Sequence, residues 1–240
     1  MLEAFAMSDV GCVRTNNEDY CLIEPELGLY VLADGMGGAR AGETASRMAV
    51  EAVSEAMLFV THRDSGVLLR AVEDANRRVL QASQDDASLE GMGTTLVVAL
   101  EMDDGISIAS VGDSRAYLLD GEGFRAITVD QTWVNEVGRP LGLAEEVLRN
   151  HPMRHVLTMA IGASSPLAVH YYPVPLSPGA VVLMCSDGLH GVVDDAHIEE
   201  ILRQAGDSVP LMESCQRLID AAKEAGGPDN VTTVLLRKPV

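Results

Sequence analysis

The chain of 240 residues carries 36 acidic and only 17 basic side chains, a formal charge of −19, which argues against nucleic acid or an anionic membrane surface as its main partner. It is 47% apolar but 4% aromatic, so Val, Leu, Ala and Met must fill a sizeable core. No apolar run approaches the roughly 20 residues of a membrane helix, and the N-terminus lacks the pattern of a signal peptide.

Taken in order, residues 20–24 and 29–34 read as neighbouring strands joined through Pro25 and Gly28. The second is the apolar run Leu29 to Ala33, expected to break at Asp34-Gly35. Gly42-Glu43-Thr44 opens a helix with Ala45, Met48, Ala49, Ala52, Val53, Ala56 and Met57 on one face. A second helix is expected from about Ser65 to Ser83. Thr94 to Leu100, Ile106 to Val111 and Ala116 to Leu119 are short β-like runs separated by tight-turn sequences, which reads as an antiparallel meander. Residues 131–165 are irregular, with short helices expected from Trp133 and at 144–149. An insertion of this kind often lies over a site. Val169 to Pro173 and Ala180 to Cys185 read as strands, Ala196 to Gln204 and Val209 to Glu224 as helices, and Val231 to Leu236 as a last strand. Helix pairs between runs of antiparallel strands point to packed sheets with helices outside.

Five acidic spots lie beside Gly or Asn at the ends of such strands. They are Asn17-Glu18-Asp19, Asp34-Gly35, Gly112-Asp113, Asp187-Gly188 and Asp229-Asn230. Hard oxygen ligands without His or Cys favour Mg²⁺ or Mn²⁺ over zinc. The cysteines Cys12, Cys21, Cys185 and Cys215 form no Cys-x-x-Cys pair and read as reduced, mostly buried thiols of a cytoplasmic protein. Arg14, four residues before Glu18, is suited to gripping a phosphate by two parallel hydrogen bonds, or to pairing with the nearby acids. Together these residues point to a metal-dependent phosphoester hydrolase.

The same residues resemble the metal-dependent serine/threonine protein phosphatases, the PPM or type-2C family, in its compact bacterial form. The likeness rests on Asp9-x-Gly11-x-x-Arg14-x-x-Asn17-Glu18-Asp19, Asp34-Gly35-Met36-Gly37-Gly38, Gly42-Glu43-x-Ala45-Ser46, Gly93-Thr94-Thr95, Val111-Gly112-Asp113-Ser114-Arg115, Ser186-Asp187-Gly188-Leu189 and Gly227-x-Asp229-Asn230-Val231-Thr232, in the family's order. It implies an α+β fold, a four-layer α-β-β-α sandwich of two antiparallel sheets packed face to face. One catalytic domain over residues 1–240 is expected, with a flap at about 131–165. The resemblance also implies that Asp34 bridges two Mn²⁺ or Mg²⁺ ions, with the Gly35 carbonyl on one and Asp187 and Asp229 on the other. Asp113 would hold a weaker third ion together with Asp187. Glu18 and Asp19 would order metal-bound water, and Arg14 would take the substrate phosphate. Asn230 would support Asp229.

The implied activity is hydrolysis of phosphoserine and phosphothreonine in proteins, opposing serine/threonine kinases, by a cytoplasmic monomer. A non-catalytic binding module of the same fold is the alternative. Two positions depart from the family. Ala39 stands where a His is usual after the glycines, and Gln131 where one is usual at the flap entrance. The proton donor is therefore expected elsewhere: a metal-bound water, such as one on a third ion, or, among the histidines, His151 or His155 in the flap region. His190 and the remaining histidines read as surface or packing residues.

Overall fold

The computed structural model describes residues 1–37, 41–60, 62–163, 165–205 and 209–240. Ala39 lies outside them. The first half comprises strands β1 (Glu3–Asp9), β2 (Asp19–Glu24) and β3 (Leu29–Met36), then helices α1 (Ala41–Met57) and α2 (Ser65–Asp85). Next come β4 (Gly93–Thr94), β5 (Leu96–Met102), β6 (Gly105–Val111), β7 (Arg115–Asp120) and β8 (Gly123–Ala126). After a π-helical turn at Val134–Gly138 and the short α3 (Glu145–Arg149) follow β9 (His170–Pro175) and β10 (Val181–Cys185). The chain ends with α4 (Asp187–His190), α5 (Asp195–Ala205), α6 (Leu211–Glu224) and β11 (Val231–Arg237).

One sheet has the order β1-β11-β10-β7-β8 and the other β2-β3-β5-β6-β9, with β4 added to β3. Side chains alternate across a strand, and here both faces are apolar. In β3, Leu29, Val31 and Ala33 pack under α1 and α2, while Tyr30 and Leu32 face the other sheet. In the second sheet Tyr117, Leu183, Cys185 and Leu235 pack under α5 and α6. Leu118, Val182, Met184 and Leu236 turn inward to meet Leu32, Val97 and Ile108 between the sheets. The expected four layers are present, with helices outside both sheets. α2 starts where expected because Asp64 caps it, its side chain accepting from the Val67 N–H at 2.8 Å.

Several expectations are corrected. β3 does not break at Asp34-Gly35. It runs on to Met36 because Gly35 and Met36 pair with Thr94 and Gly93 of β4. The three runs from 94 to 119 are not one meander. β5 and β6 pair, but β7 lies in the other sheet beside β10. The Gly112-Asp113 turn therefore carries the chain between sheets. β1, β8 and α4 were not foreseen. Of the four free cysteines, Cys185 and Cys215 are buried, but Cys12 is exposed, because it sits on a surface turn. No helix among the described residues is long and apolar enough to cross a membrane.

Leu32 is fully buried between the sheets, whereas Phe59 after α1 is 91% exposed. Leu32→Ala should cost about 2–5 kcal/mol in urea unfolding, and Phe59→Ala less than about 0.5 kcal/mol. Equal costs would mean that the inter-sheet layer is not the core.

Candidate active site

Antiparallel pairing sets the end of one strand beside the start of the next. At one end of the sandwich these junctions are acidic. Asp19 opens β2 directly across from Asp34 in β3. Asp187 opens α4 just after β10, and Asp229 immediately precedes Asn230 and β11. Asp113 occupies the turn between sheets. A cleft of about 670 Å³ opens there, lined among others by Arg14, Glu18, Asp34, Gly35, Asp113, Asp187 and Asp229. Asp19 lies buried and does not line it.

Backbone fit holds the cleft's floor. A Cβ on Gly35 would stand 2.1 Å from the Gly42 carbonyl oxygen and 2.6 Å from that of Glu18. Only glycine lets the start of α1 and the Glu18 loop close on β3, where the Gly35 N–H donates to the Glu18 carbonyl at 3.1 Å. Gly11, at φ +78°, does the same on the other side, since a Cβ there would meet the Asp229 carbonyl oxygen at 2.2 Å.

Asp19 joins the two sheets. Its Oδ2 accepts from Ser186 Oγ at 2.8 Å, just past the end of β10, and from Thr232 Oγ1 at 2.7 Å, in β11 of the opposite sheet. Its Oδ1 is buried without a partner. Burial, opposed by those two bonds and reinforced by the charges of Asp187 and Asp229, lifts its pKa to about 6. Burial and the charges of Asp19, Asp187, Asp113 and Asp229 push Asp34 well above the usual carboxylate range. Burial and Asp229 raise Asp187, partly offset by a hydrogen bond from Asp34 and by His155 and Arg14. Burial, then Asp187 and Asp130, raise Asp113 to about 7. The mutual repulsion reports that these groups face a common space.

Asn230 ties the N-terminal loop down. Its Nδ2 donates to the carbonyls of Val10 and Asn16 at 3.0 and 2.9 Å, and its Oδ1 accepts from the Glu18 N–H at 2.8 Å. Its own N–H reaches Asp229 Oδ1 at 2.9 Å, so it also supports Asp229. Half-exposed Arg14 pairs through Nη2 with Asp229 Oδ2 at 2.8 Å, the pairing alternative for this residue. It nevertheless lines the cleft.

The histidine candidates separate. His155 lines the cleft. His151 stacks on Trp133, ring centroids 4.1 Å apart, and is a packing residue. His190 is a half-buried packing residue, as expected, with Nε2 donating to the Asp113 carbonyl at 3.0 Å. Burial drives its pKa down to about 4, so it is neutral and steadies the turn that carries Asp113. Gln131 is buried and turned away from the cleft. It accepts from the Gly112 N–H at 2.9 Å and donates to the Ala168 carbonyl at 2.8 Å. Sequence reasoning missed the roles of Ser186, Thr232, His190 and Gln131. Only the position of Ser186 and Thr232 beside acidic motifs hinted at one.

The donor set is all oxygen, crowded, and includes a buried carboxylate oxygen with no partner. That fits divalent cations of the Mg²⁺ or Mn²⁺ type. Among the described residues no three His, Cys, Asp or Glu side chains are placed to hold one ion by themselves. Bound cations would therefore draw further ligands from water and backbone carbonyls, as hard cations do.

Residues 13–235 match the family model described as protein phosphatase 2C. The serine/threonine phosphatase stp of Listeria innocua is 34% identical over 239 residues, covering 96% of this chain and 94% of its own. The crystal structure of the Mycobacterium tuberculosis serine/threonine phosphatase PstP/Ppp superposes with a TM-score of 0.89 at 34% identity, over 100% of this chain and 99% of that one. The catalytic domain of the phosphatase PstP in complex with two manganese ions superposes with a TM-score of 0.84 at 34% identity, over 98% and 97% of the two chains. With its sandwich fold, its acidic cleft and a match spanning nearly its whole length, the chain belongs to the protein phosphatase 2C family.

Proposed function

We propose that this protein removes phosphate from phosphoserine and phosphothreonine in other proteins, and so opposes serine/threonine kinases. The observation that carries this reading is the gathering of carboxylates from both sheets around one cleft that also holds Arg14. Asp34, the Gly35 carbonyl, Asp187 and Asp229 would hold two Mn²⁺ or Mg²⁺ ions, with Asp34 as the bridge. Asp113 and Asp187 would hold a third. When bound, such cations neutralise phosphate charge and acidify water at neutral pH.

The chain's own residues do the rest. Arg14 is braced by Asp229 through one N–H of Nη2, which leaves the other Nη2 N–H and its neighbouring donor on that face of the guanidinium to grip phosphate oxygens in a pair. Glu18, which lines the cleft, accepts hydrogen bonds from water there and orients it, and Asp19, buried behind the cleft, offers its unpartnered Oδ1 to a water enclosed beside it. His155, the only histidine that lines the cleft among the described residues, donates the proton that the departing serine oxygen needs. We read residues 1–240 as one catalytic domain acting as a monomer, with 131–165 as a flap. Its base is fixed where Thr132 bridges Leu157 and Ile161 bridges Thr94. The four free cysteines favour the reducing cytoplasm.

Three outcomes follow. The folded, metal-free protein holds protons on Asp19 and Asp113 up to about pH 6 and 7, against a usual value of 3.8. The unfolded chain releases them first, so stability of the metal-free protein should fall as pH rises from about 4 to 7. Mn²⁺ should reverse that fall. In Asp34→Ala both the pH slope and the Mn²⁺ response should shrink in calorimetric melts. Unaltered binding of two ions by Asp34→Ala would refute the bridge.

Arg14→Ala should mainly raise KM for phosphopeptides, by about 10- to 150-fold for a lost charged pair of hydrogen bonds worth roughly 1.5–3 kcal/mol. Arg14→Lys should recover part of this. Unchanged kinetics in both variants would remove Arg14 from phosphate binding.

With Mn²⁺, and with EDTA as the control, the protein should turn over both p-nitrophenyl phosphate and a phosphoserine peptide. A p-nitrophenolate leaves unaided and a serine alkoxide does not. His155→Ala should therefore slow the peptide on the order of 10- to 100-fold more than the aryl phosphate. Equal slowing of the two would exclude His155 as the donor.

A further inference from the structure

A second cavity of about 430 Å³ adjoins the cleft and shares Asp113, His155 and Asp187 with it. Three arginines, Arg115, Arg139 and Arg154, line it, a concentration of cations in a chain of net charge −19. Two are matched inside the molecule. Arg115 donates to both oxygens of Asp130 at 2.9 and 2.8 Å, and Arg139 pairs with Glu145 at 2.9 Å. Arg154 is exposed, and among the described residues no carboxylate pairs with its guanidinium. It precedes His155, which lines both cavities.

We infer that this cavity is a second subsite, which takes an anionic side chain of the substrate a few residues from the phosphorylated serine or threonine, and that Arg154 recognises it. The inference rests on reading the cleft as a phosphatase site. A peptide whose phosphate enters the cleft runs past the shared wall into this cavity. The exposed Val129 and Val156 line the second cavity and the cleft respectively and give its backbone an apolar footing. The shared wall is acidic through Asp113 and Asp187, so an anion fits only once cations have neutralised that wall. Among the described residues, the one arginine in the cavity not already matched by a carboxylate is then Arg154. A guanidinium suits a carboxylate or a second phosphate equally, through paired hydrogen bonds.

The test compares phosphoserine peptides that carry alanine, aspartate, lysine or a phosphothreonine two to four residues from the phosphoserine. The readout is kcat/KM relative to the alanine peptide, with Mn²⁺ present. The unmodified protein should favour aspartate over alanine roughly 3- to 5-fold, the range of an exposed ion pair, and high salt should erode that preference. Arg154→Ala should bring the ratio to one, Arg154→Glu should invert it toward lysine, and Arg154→Lys should keep part of it. A larger gain from phosphothreonine than from aspartate assigns the subsite to doubly phosphorylated segments, and the reverse assigns it to acidic ones. Either is support. No anionic preference in the unmodified protein, or one that survives Arg154→Ala, overturns the subsite alone. Failure of the Mn²⁺-loaded protein to turn over any peptide overturns the phosphatase reading and the subsite with it.

Discussion

One buried carboxylate fastens the two halves of the sandwich at the site. Asp19 belongs to the sheet that carries Asp34, yet its Oδ2 is held by Ser186 and Thr232 of the sheet that carries Asp187 and Asp229. Apolar packing between the sheets is strong but non-directional. It fixes their separation, not the relative placement of two strand ends. Hydrogen bonds to one carboxylate supply that placement. Removing the carboxylate would leave the Ser186 hydroxyl proton without its acceptor, although Ser186 Oγ still accepts from the Thr232 N–H and Thr232 Oγ1 still bonds Ser8 Oγ. Such an orphaned donor costs more than a hydrogen bond contributes.

The same region works against the fold. The apolar runs of β3, β5, β7 and β10 continue until they reach the cleft, where Asp34, Asp113 and Asp187 crowd together and burial and mutual repulsion raise their pKa values. The structure tolerates this because glycine backbone, not side chains, sets the close contacts around it. Gly35 lies against the start of α1 and Gly11 against Asp229. The carboxylates therefore converge without a layer of packed side chains that would have to move when their charge changes. Neutral His190 and buried Gln131 hold the Asp113 turn from two sides, so Asp113 is fixed at its backbone.

Much of this is readable from the residues, for a physical reason. Short apolar runs bounded by Asp-Gly and Gly-Asp mark strand ends. A carboxylate at each of several strand ends is a pattern that only convergence explains. What could not be read is what depends on distant partners. β1 buries Phe5 and Met7 on one face and Ala4 and Ala6 on the other, so its short, mixed run shows no polar face. β8 is a four-residue edge strand. The chain changes sheet at Gly112-Asp113, yet the residues there look like any tight turn. Gln131 resembles a lost histidine in the sequence, but its side chain pins the Gly112 turn to Ala168. Arg14 and Asp229 lie 215 positions apart, beyond any local rule.

The bonds from Asn230 to Val10, Asn16 and Glu18 span more than 210 positions, and β1 pairs with β11 along its whole length. Segments more than 210 residues apart thus close the cleft on each other. During synthesis the loop bearing Arg14 and Glu18 emerges well before its partner strand exists. Contacts of such long separation form late and slowly. The cleft therefore cannot assemble before β11 has been made and slots between β1 and β10.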